Sequence, residues 1–173
     1  MSDSAQREVK PISLPRTFAW AGALIAVDAF VVNQGVISAA IGLWMLLAAL
    51  PRAAFTQDPG QRRLRLARVA IFLGAVAIVF ALNWVNNRIA KSRAETLVTA
   101  VKAFKQKHQR YPEKLDELVP EFVEHMPVAK YTLAFGRFYY VATAGYHGLF
   151  YMDMPPFGRP TYAFERDTWG YVD

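Results

Sequence analysis

The sequence predicts a membrane protein in which N-terminal transmembrane helices precede a C-terminal α+β domain. Two observations carry this prediction. Residues 18–50 and 69–85 are apolar runs of membrane-spanning quality. Beyond them, the apolar spacing changes from a helical period to short aromatic runs separated by turn residues, which is typical of a helix followed by a small antiparallel sheet. We therefore expect a tail over 1–16, a transmembrane region over 17–86 and a separate domain over 87–173.

The composition excludes several functional classes. The chain has 173 residues, about enough for one ordinary domain. Its formal charge of +6 comes from basic residues that lie beside apolar runs and not among aromatics on one patch, so no nucleic-acid partner is predicted. The chain has no cysteine, which excludes disulfides, a thiolate nucleophile and cysteine-ligated metal.

The first apolar run is too long for one straight span. As a helix, residues 18–50 would measure about 50 Å, against a hydrocarbon core of about 30 Å. The polar residues Asn33 and Gln34 lie near its middle and are followed by Gly35, the usual residue just past a helix end. We expect a hairpin with spans over about 17–32 and 36–50. One tilted span over the whole run is the alternative.

The arginines predict the orientation. A third span is expected over 69–85, with Trp84 as an interfacial anchor near its end. The linker over 51–68 carries one acid, Asp58, and five arginines: Arg52, Arg62, Arg63, Arg65 and Arg68. The positive-inside rule places such a linker in the cytoplasm. Three spans then put the N-terminus in the cytoplasm and the C-terminal domain in the periplasm of a bacterial inner membrane.

The second half begins with an amphipathic helix that continues from the last span. Its apolar stripe has helical spacing and comprises Ala94, Leu97, Val98, Val101 and Phe104. Pro112 cannot continue the helix and makes Tyr111 extended, so Tyr-Pro predicts a corner before a short helix that ends at Pro120. Five strand-like runs follow: YTLAF, RFYYVA, GLFYMDM, TYAFE and TWGYV. Their short connections predict an antiparallel β-meander with the long helix packed on one face.

Two segments carry a family resemblance. AVKAFKQKHQRYPEKLDELVP, Ala100 to Pro120, resembles the helix and corner of type IV pilins and type II secretion pseudopilins, although Gln109 stands where that family often has glycine. PPFGRPTYAF, Pro155 to Phe164, is similar to the turn before a tyrosine-bearing strand in pseudopilins. The resemblance implies a pilin-like periplasmic module and an envelope partner among pilus or type II secretion components.

The resemblance is one of fold and does not extend to processing. No prepilin leader precedes an apolar run, so we expect the mature protein to keep Met1 or Ser2 at its start. The module would then be permanently anchored in the lipid bilayer instead of assembling into a fibre.

Asp28 is the one ionisable residue within the first apolar run. Such a residue can belong to a proton or ion pathway. The other explanation is solvation at the interface, or pairing with the nearby amides of Asn33 and Gln34. The sequence predicts no catalytic, cofactor or metal site: the exported half has no serine after Ser92, and its carboxylates fit a solvated helix face. The three histidines, which lack the spacing of metal ligands, are His108, His125 and His147.

The sheet region has more aromatic residues than one buried face requires. Tyr139, Tyr151 and Phe157 are therefore candidates for binding a protein partner, because aromatics are enriched at interfaces. Ordinary packing with some exposed tyrosines is the alternative. The expected function is that of a non-enzymatic inner-membrane protein presenting a module for protein–protein interaction. The alternative is a small transport or sensing subunit that works through the helices around Asp28.

Overall fold

The computed structural model describes residues 13–153 and 158–172. Three helices come first: α1, Leu14–Val32; α2, Val36–Ala54; and α3, Pro59–His108. All three are long and apolar enough to cross a membrane. The first two are each 19 residues long, so the first apolar run divides into two helices, as the hairpin prediction required, and not into one long helix.

The turn between α1 and α2 depends on two left-handed residues. Asn33 has a φ of 53° and Gly35 a φ of 71°. Glycine adopts this conformation at no steric cost, and asparagine tolerates it better than most residues. Gly35 also lies against α3: a Cβ there would be 3.1 Å from the ring of Phe80. The chain therefore reverses direction in three residues, packed against the third helix.

The segment predicted as a linker, 51–68, is mostly helical. α2 continues to Ala54, and α3 begins at Pro59, so that 55–58 join them. Asp58 caps α3: its carboxylate oxygens accept hydrogen bonds from the N–H groups of Gly60 (3.0 Å) and Gln61 (3.3 Å). Proline suits the next position because its missing N–H has no partner in the first turn.

α3 joins the two halves of the protein as one helix of 50 residues, about 75 Å long. Its first half packs on α1 and α2 in a cluster of Ala21, Leu24, Met45, Val69, Phe72 and Ala75. Its second half buries the predicted stripe, Ala94 to Phe104, in the core of the C-terminal domain. The helix ends before Gln109, whose φ of 57° is a conformation that glycine favours.

The C-terminal domain has a 3₁₀ turn, Leu115–Leu118, and a four-stranded sheet. The strands are β1, Tyr139–Thr143; β2, Tyr146–Phe150; β3, Arg159–Ala163; and β4, Thr168–Val172. Each pairs antiparallel with the next in chain order, so the predicted meander is confirmed. The first predicted strand, YTLAF, is wrong: residues 131–135 form no strand.

Candidate interaction surface

One face of the sheet is covered by α3. A row of cross-strand neighbours runs through all four strands on this side: Tyr140, Leu149, Tyr162 and Trp169. All four pack in the same core cluster as the apolar stripe of α3. Because side chains alternate along a strand, the residues on either side of this row point to the opposite face.

That opposite side, here called the open face, presents an aromatic pair. Tyr139 on β1 and Phe150 on β2 are cross-strand partners, and their rings stack with centroids 5.1 Å apart and planes 13° from parallel. Tyr139 is 37% exposed, and Val141 beside it is 38% exposed. Tyr146 is exposed on the same face. The β1–β2 half of the open face is therefore apolar, aromatic and in contact with solvent.

The middle of the β3–β4 half of the open face has small side chains, and the larger pair Arg159 and Val172 lies at its end. Thr161 and Gly170 continue the row of Tyr139, and Ala163 and Thr168 continue the next row. A Cβ at Gly148 in that second row would lie 2.6 Å from the hydroxyl oxygen of Tyr146, so a larger residue there would displace the exposed Tyr146 side chain. The open face thus has aromatic rings on β1 and β2 beside small side chains on β3 and β4. An extended or flat segment of a partner protein could pack there.

The structure separates the candidate binding residues. Tyr139 lies on the open face as an interaction surface requires. Tyr151 is buried, with 4% exposure, which overturns the expectation that it is exposed. Its ring packs edge-on against Phe138 (6.0 Å between centroids) and Trp169 (6.5 Å), because it faces α3. Burial raises the pKa of its hydroxyl to about 12. Phe157 lies outside the described residues.

The Tyr-Pro corner connects the end of α3 to the sheet. Pro112 is fully buried, and the hydroxyl of Tyr111 donates a hydrogen bond to the carbonyl of Phe164 (3.3 Å). The same hydroxyl accepts a hydrogen bond from Lys105 Nζ (3.0 Å). The Tyr111 ring also lies 4.4 Å from that of His147 on β2. The corner therefore fixes the sheet against the last turns of α3, as its sequence position predicts.

A histidine–carboxylate pair lies beside this corner and has no counterpart among the sequence predictions. His147 Nδ1 is 2.7 Å from Glu165 Oε1, and the backbone N–H of His147 donates to the same oxygen (3.0 Å). Burial acts to raise the pKa of Glu165, but these hydrogen bonds outweigh it and hold the pKa below its ordinary value. The pair bridges β2 and the end of β3, and only the strand register brings the two residues together.

Lys130 is a buried cation next to the sheet. Its side chain is 1% exposed, and Nζ donates a hydrogen bond to the carbonyl of Asp153 (2.5 Å). Burial lowers the pKa of Lys130 to about 8, and the nearby charge of Asp153 opposes that shift only in part. The contact ties the segment before β1 to the end of the β2 region. We therefore interpret Lys130 as a structural residue that stabilises the fold.

Asp28 is fully buried and caps α2 from the preceding helix. Its carboxylate oxygens accept hydrogen bonds from the N–H groups of Gly35 (2.9 Å) and Ser38 (2.8 Å). The start of a helix has unpaired N–H groups and a partial positive charge, both of which stabilise a carboxylate. Neither half of the alternative to an ion pathway, solvation at the interface or pairing with the amides of Asn33 and Gln34, is seen; backbone N–H groups bond to the buried carboxylate because the turn brings α2 over Asp28.

A polar junction connects the helices to the C-terminal domain. Asn86 on α3 is buried; its Nδ2 donates to Asn33 Oδ1 (3.1 Å), and its Oδ1 accepts from the N–H of Tyr131 (3.2 Å). Arg93, two turns further along α3, donates to the carbonyl of Val128 (2.8 Å) and lies over the ring of Tyr131 at 4.7 Å. One asparagine therefore bonds both the α1–α2 turn and the C-terminal domain.

The residues predicted as the first strand bond to α1 instead. The N–H groups of Leu133 and Ala134 donate to the carbonyls of Phe30 (2.9 Å) and Val31 (3.1 Å), and Thr132 Oγ1 also donates to Val31 (2.9 Å). The last carbonyls of a helix have no partner within it, so they are available to another segment. The C-terminal domain is thereby held at the end of the first helix.

No family model matches the chain, and no curated protein or solved structure is significantly similar to it.

Proposed function

We propose that the protein is a non-enzymatic, membrane-anchored display protein. Helices α1 to α3 cross a bacterial inner membrane with the N-terminus in the cytoplasm, and residues 87–173 form a pilin-like module in the periplasm. The module binds an envelope protein through its open face. Pilus and type II secretion components are the class of partner that the pilin resemblance implies.

The exposed surface of the three helices supports the membrane anchor. Large apolar side chains that would be costly in water project from them, including Trp20 (69% exposed) and Leu47 (71%). The arginine-rich end of α3, near Arg62 and Arg63, fits the cytoplasmic side. The exposed apolar surface favours a bilayer over water, and the basic end of α3 favours one orientation of the helices in it.

The pilin-like comparison draws support from the packing of α3. The second half of α3 packs on a four-stranded antiparallel meander. The Tyr111-Pro112 corner then turns the chain back towards the sheet. This arrangement uses one sheet face for folding and leaves the other uncovered by the described residues. The stacked pair of Tyr139 and Phe150 on that uncovered face is the observation that carries the proposed binding function.

The contacts of Asp28 weigh against the alternative of a transport or sensing subunit. Both carboxylate oxygens already bond to backbone N–H groups, and the residue is fully buried. A helix cap explains why a carboxylate is retained at this depth without assigning it an ion or a proton to carry.

Site-specific photocrosslinking in cells tests the proposal. A photoreactive residue is placed at Tyr139 or Thr168 on the open face, and at Thr99 on the solvent side of α3 as the matched control. We expect Tyr139 and Thr168 to capture the same envelope protein and Thr99 not to capture it. Equal capture at Thr99, or no adduct from either open-face position, would contradict the proposal.

A further inference from the structure

The loop over 128–134, which precedes β1, exposes three apolar side chains. Val128 is 48% exposed, Tyr131 is 55% exposed and Leu133 is 85% exposed. Exposed apolar side chains grouped in this way mark an interaction or membrane site, whereas singly scattered ones do not. The loop is also well anchored, because Arg93 bonds to the carbonyl of Val128 and to the hydroxyl of Tyr131. The apolar side chains are therefore presented by a fixed backbone.

The position of the loop along α1 indicates what covers it. Leu133 bonds through its N–H to the carbonyl of Phe30, which precedes the α1–α2 turn by three residues. Phe30 is itself 47% exposed and belongs to the apolar surface of α1. Leu133 thus lies beside the last turn of a helix that we propose crosses the membrane, on the bilayer side of the turn at Asn33.

A second observation, on α3, places the boundary of the membrane at the same height along the helices. The Asn83 Nδ2 atom lies 3.3 Å from the position that a Cβ of Gly35 would occupy, so the turn is level with this part of α3. The next residue, Trp84, is 60% exposed, and the guanidinium of Arg88 lies 4.7 Å from its ring centroid. An exposed tryptophan followed one turn later by a cation is typical of the boundary between acyl chains and headgroups.

We propose that the 128–134 loop inserts into the outer leaflet of the membrane, with Leu133 among the acyl chains and Tyr131 at the headgroup level. This inference rests on the proposed transmembrane placement of α1 to α3. The exposed surface of the loop is continuous with the apolar surface of α1 at Phe30. The loop N–H groups also bond to the carbonyls of Phe30 and Val31, which would otherwise face hydrocarbon without a partner. The periplasmic module then contacts lipid directly and is not only tethered above it.

Depth-dependent quenching of a single fluorescent label tests the insertion. Because the chain has no native cysteine, the variants Leu133→Cys, Ala144→Cys and Leu47→Cys each carry one thiol for an environment-sensitive NBD label. Ala144 is an exposed residue in the β1–β2 turn, and Leu47 is an exposed residue within α2. The full chain is reconstituted in phosphatidylcholine–phosphatidylglycerol vesicles, with and without lipid that carries a doxyl quencher near the glycerol end of its acyl chain.

We expect the label at 133 to be blue-shifted and quenched several-fold more strongly than the label at 144. The label at 144 is the control for the dye: if the dye itself entered the bilayer, this label would be quenched as well. If the label at 133 is quenched no more than that at 144 while the label at 47 is quenched, the inserted loop is wrong and the transmembrane anchor stands. If the label at 47 is not quenched either, both proposals fail.

Discussion

The carboxamide nitrogen of Asn86 donates a hydrogen bond to the carboxamide oxygen of Asn33 over 3.1 Å. The partners are 53 residues apart, one on α3 and one in the α1–α2 turn. Since the oxygen of Asn86 also accepts from the N–H of Tyr131, a single buried side chain holds three separate parts of the chain.

Replacing Asn86 with leucine should loosen this junction. The substitution preserves size but leaves Asn33 Oδ1 and the N–H of Tyr131 without their partner, at a cost of about 1–3 kcal/mol for each buried group. We expect a lower thermal midpoint of the full chain in detergent and faster proteolysis at 128–134. The neighbouring change Asn87→Leu is the control, because Asn87 Oδ1 is buried without a partner among the described residues. Equal losses in the two variants would contradict the assigned role.

Asp28→Ala should destabilise the α1–α2 hairpin by about 2 kcal/mol, because two N–H groups at the start of α2 lose their acceptor. Ser38→Ala is the matched control: the Ser38 hydroxyl is buried in the first turn of α2 and has no hydrogen-bond partner within the described ranges. Thermal unfolding in detergent measures both. A protein that tolerates Asp28→Ala as well as Ser38→Ala would show that the cap contributes little.

The two tyrosines that the sequence grouped together should behave differently. Tyr151→Ala removes a buried ring and should destabilise the C-terminal domain by about 3 kcal/mol or more. Tyr139→Ser removes a ring that is 37% exposed and stacks on Phe150, so it should cost only about 1 kcal/mol while weakening the photocrosslink from Thr168. A large loss of stability in Tyr139→Ser, or none in Tyr151→Ala, would reverse the assignment of the two sheet faces.

Lys130 should make stability rise with pH. Its pKa is about 8 in the folded protein against 10.5 as the ordinary value, so the unfolded chain binds more protons between these pH values. Folding is then favoured as pH increases, by up to about 3 kcal/mol over the whole interval. The thermal midpoint of the wild type should increase from about pH 8 to about pH 9.5. Above that window Tyr140 and Tyr151 have the opposite effect on stability. Burial raises their pKa values, so the unfolded chain loses these protons first and stability falls as pH increases.

The control for this pH dependence is Lys130→Met, which keeps the apolar stem without the amine. In this variant the increase of the midpoint over the same window should disappear. An identical increase in wild type and Lys130→Met would assign the effect to other groups.

The orientation can be tested with single cysteines. Thr168→Cys on β4 and Gln61→Cys at the start of α3 are placed in the otherwise cysteine-free chain. A membrane-impermeant maleimide added to intact bacterial cells with a permeabilised outer membrane should label Thr168→Cys and not Gln61→Cys. Disrupting the inner membrane should make both reactive. The opposite pattern in intact cells would invert the proposed topology.

The sequence predicted the elements whose signals are local. Gly35 after Asn33 and Gln34 predicted the hairpin turn, and Pro112 predicted the corner, because both residues restrict the backbone directly. The stripe from Ala94 to Phe104 predicted the buried side of α3, since a regular helix repeats its burial every three to four residues.

The errors concern residues whose environment is set by distant partners. YTLAF has the alternation of a strand, but its amides bond to Phe30 and Val31, about 100 residues earlier, and nothing local indicates that. Tyr151 was grouped with the exposed tyrosines because tyrosine is the commoner exposed aromatic, whereas its burial follows from packing against Phe138 and Trp169. The pairing of His147 with Glu165 likewise depends on cross-strand register.

The continuity of α3 has a mechanical consequence. A helix of 50 residues without a break behaves as a lever whose ends lie on either side of the proposed membrane. A change in tilt of ~10° about its first turn would carry its far end by roughly 13 Å. Motion at the corner of Tyr111 would in turn be felt at the arginine-rich end near Arg62. Because α3 packs on α1 and α2 and Asn86 bonds to Asn33, a protein that displaced the proposed module would tilt the three helices together.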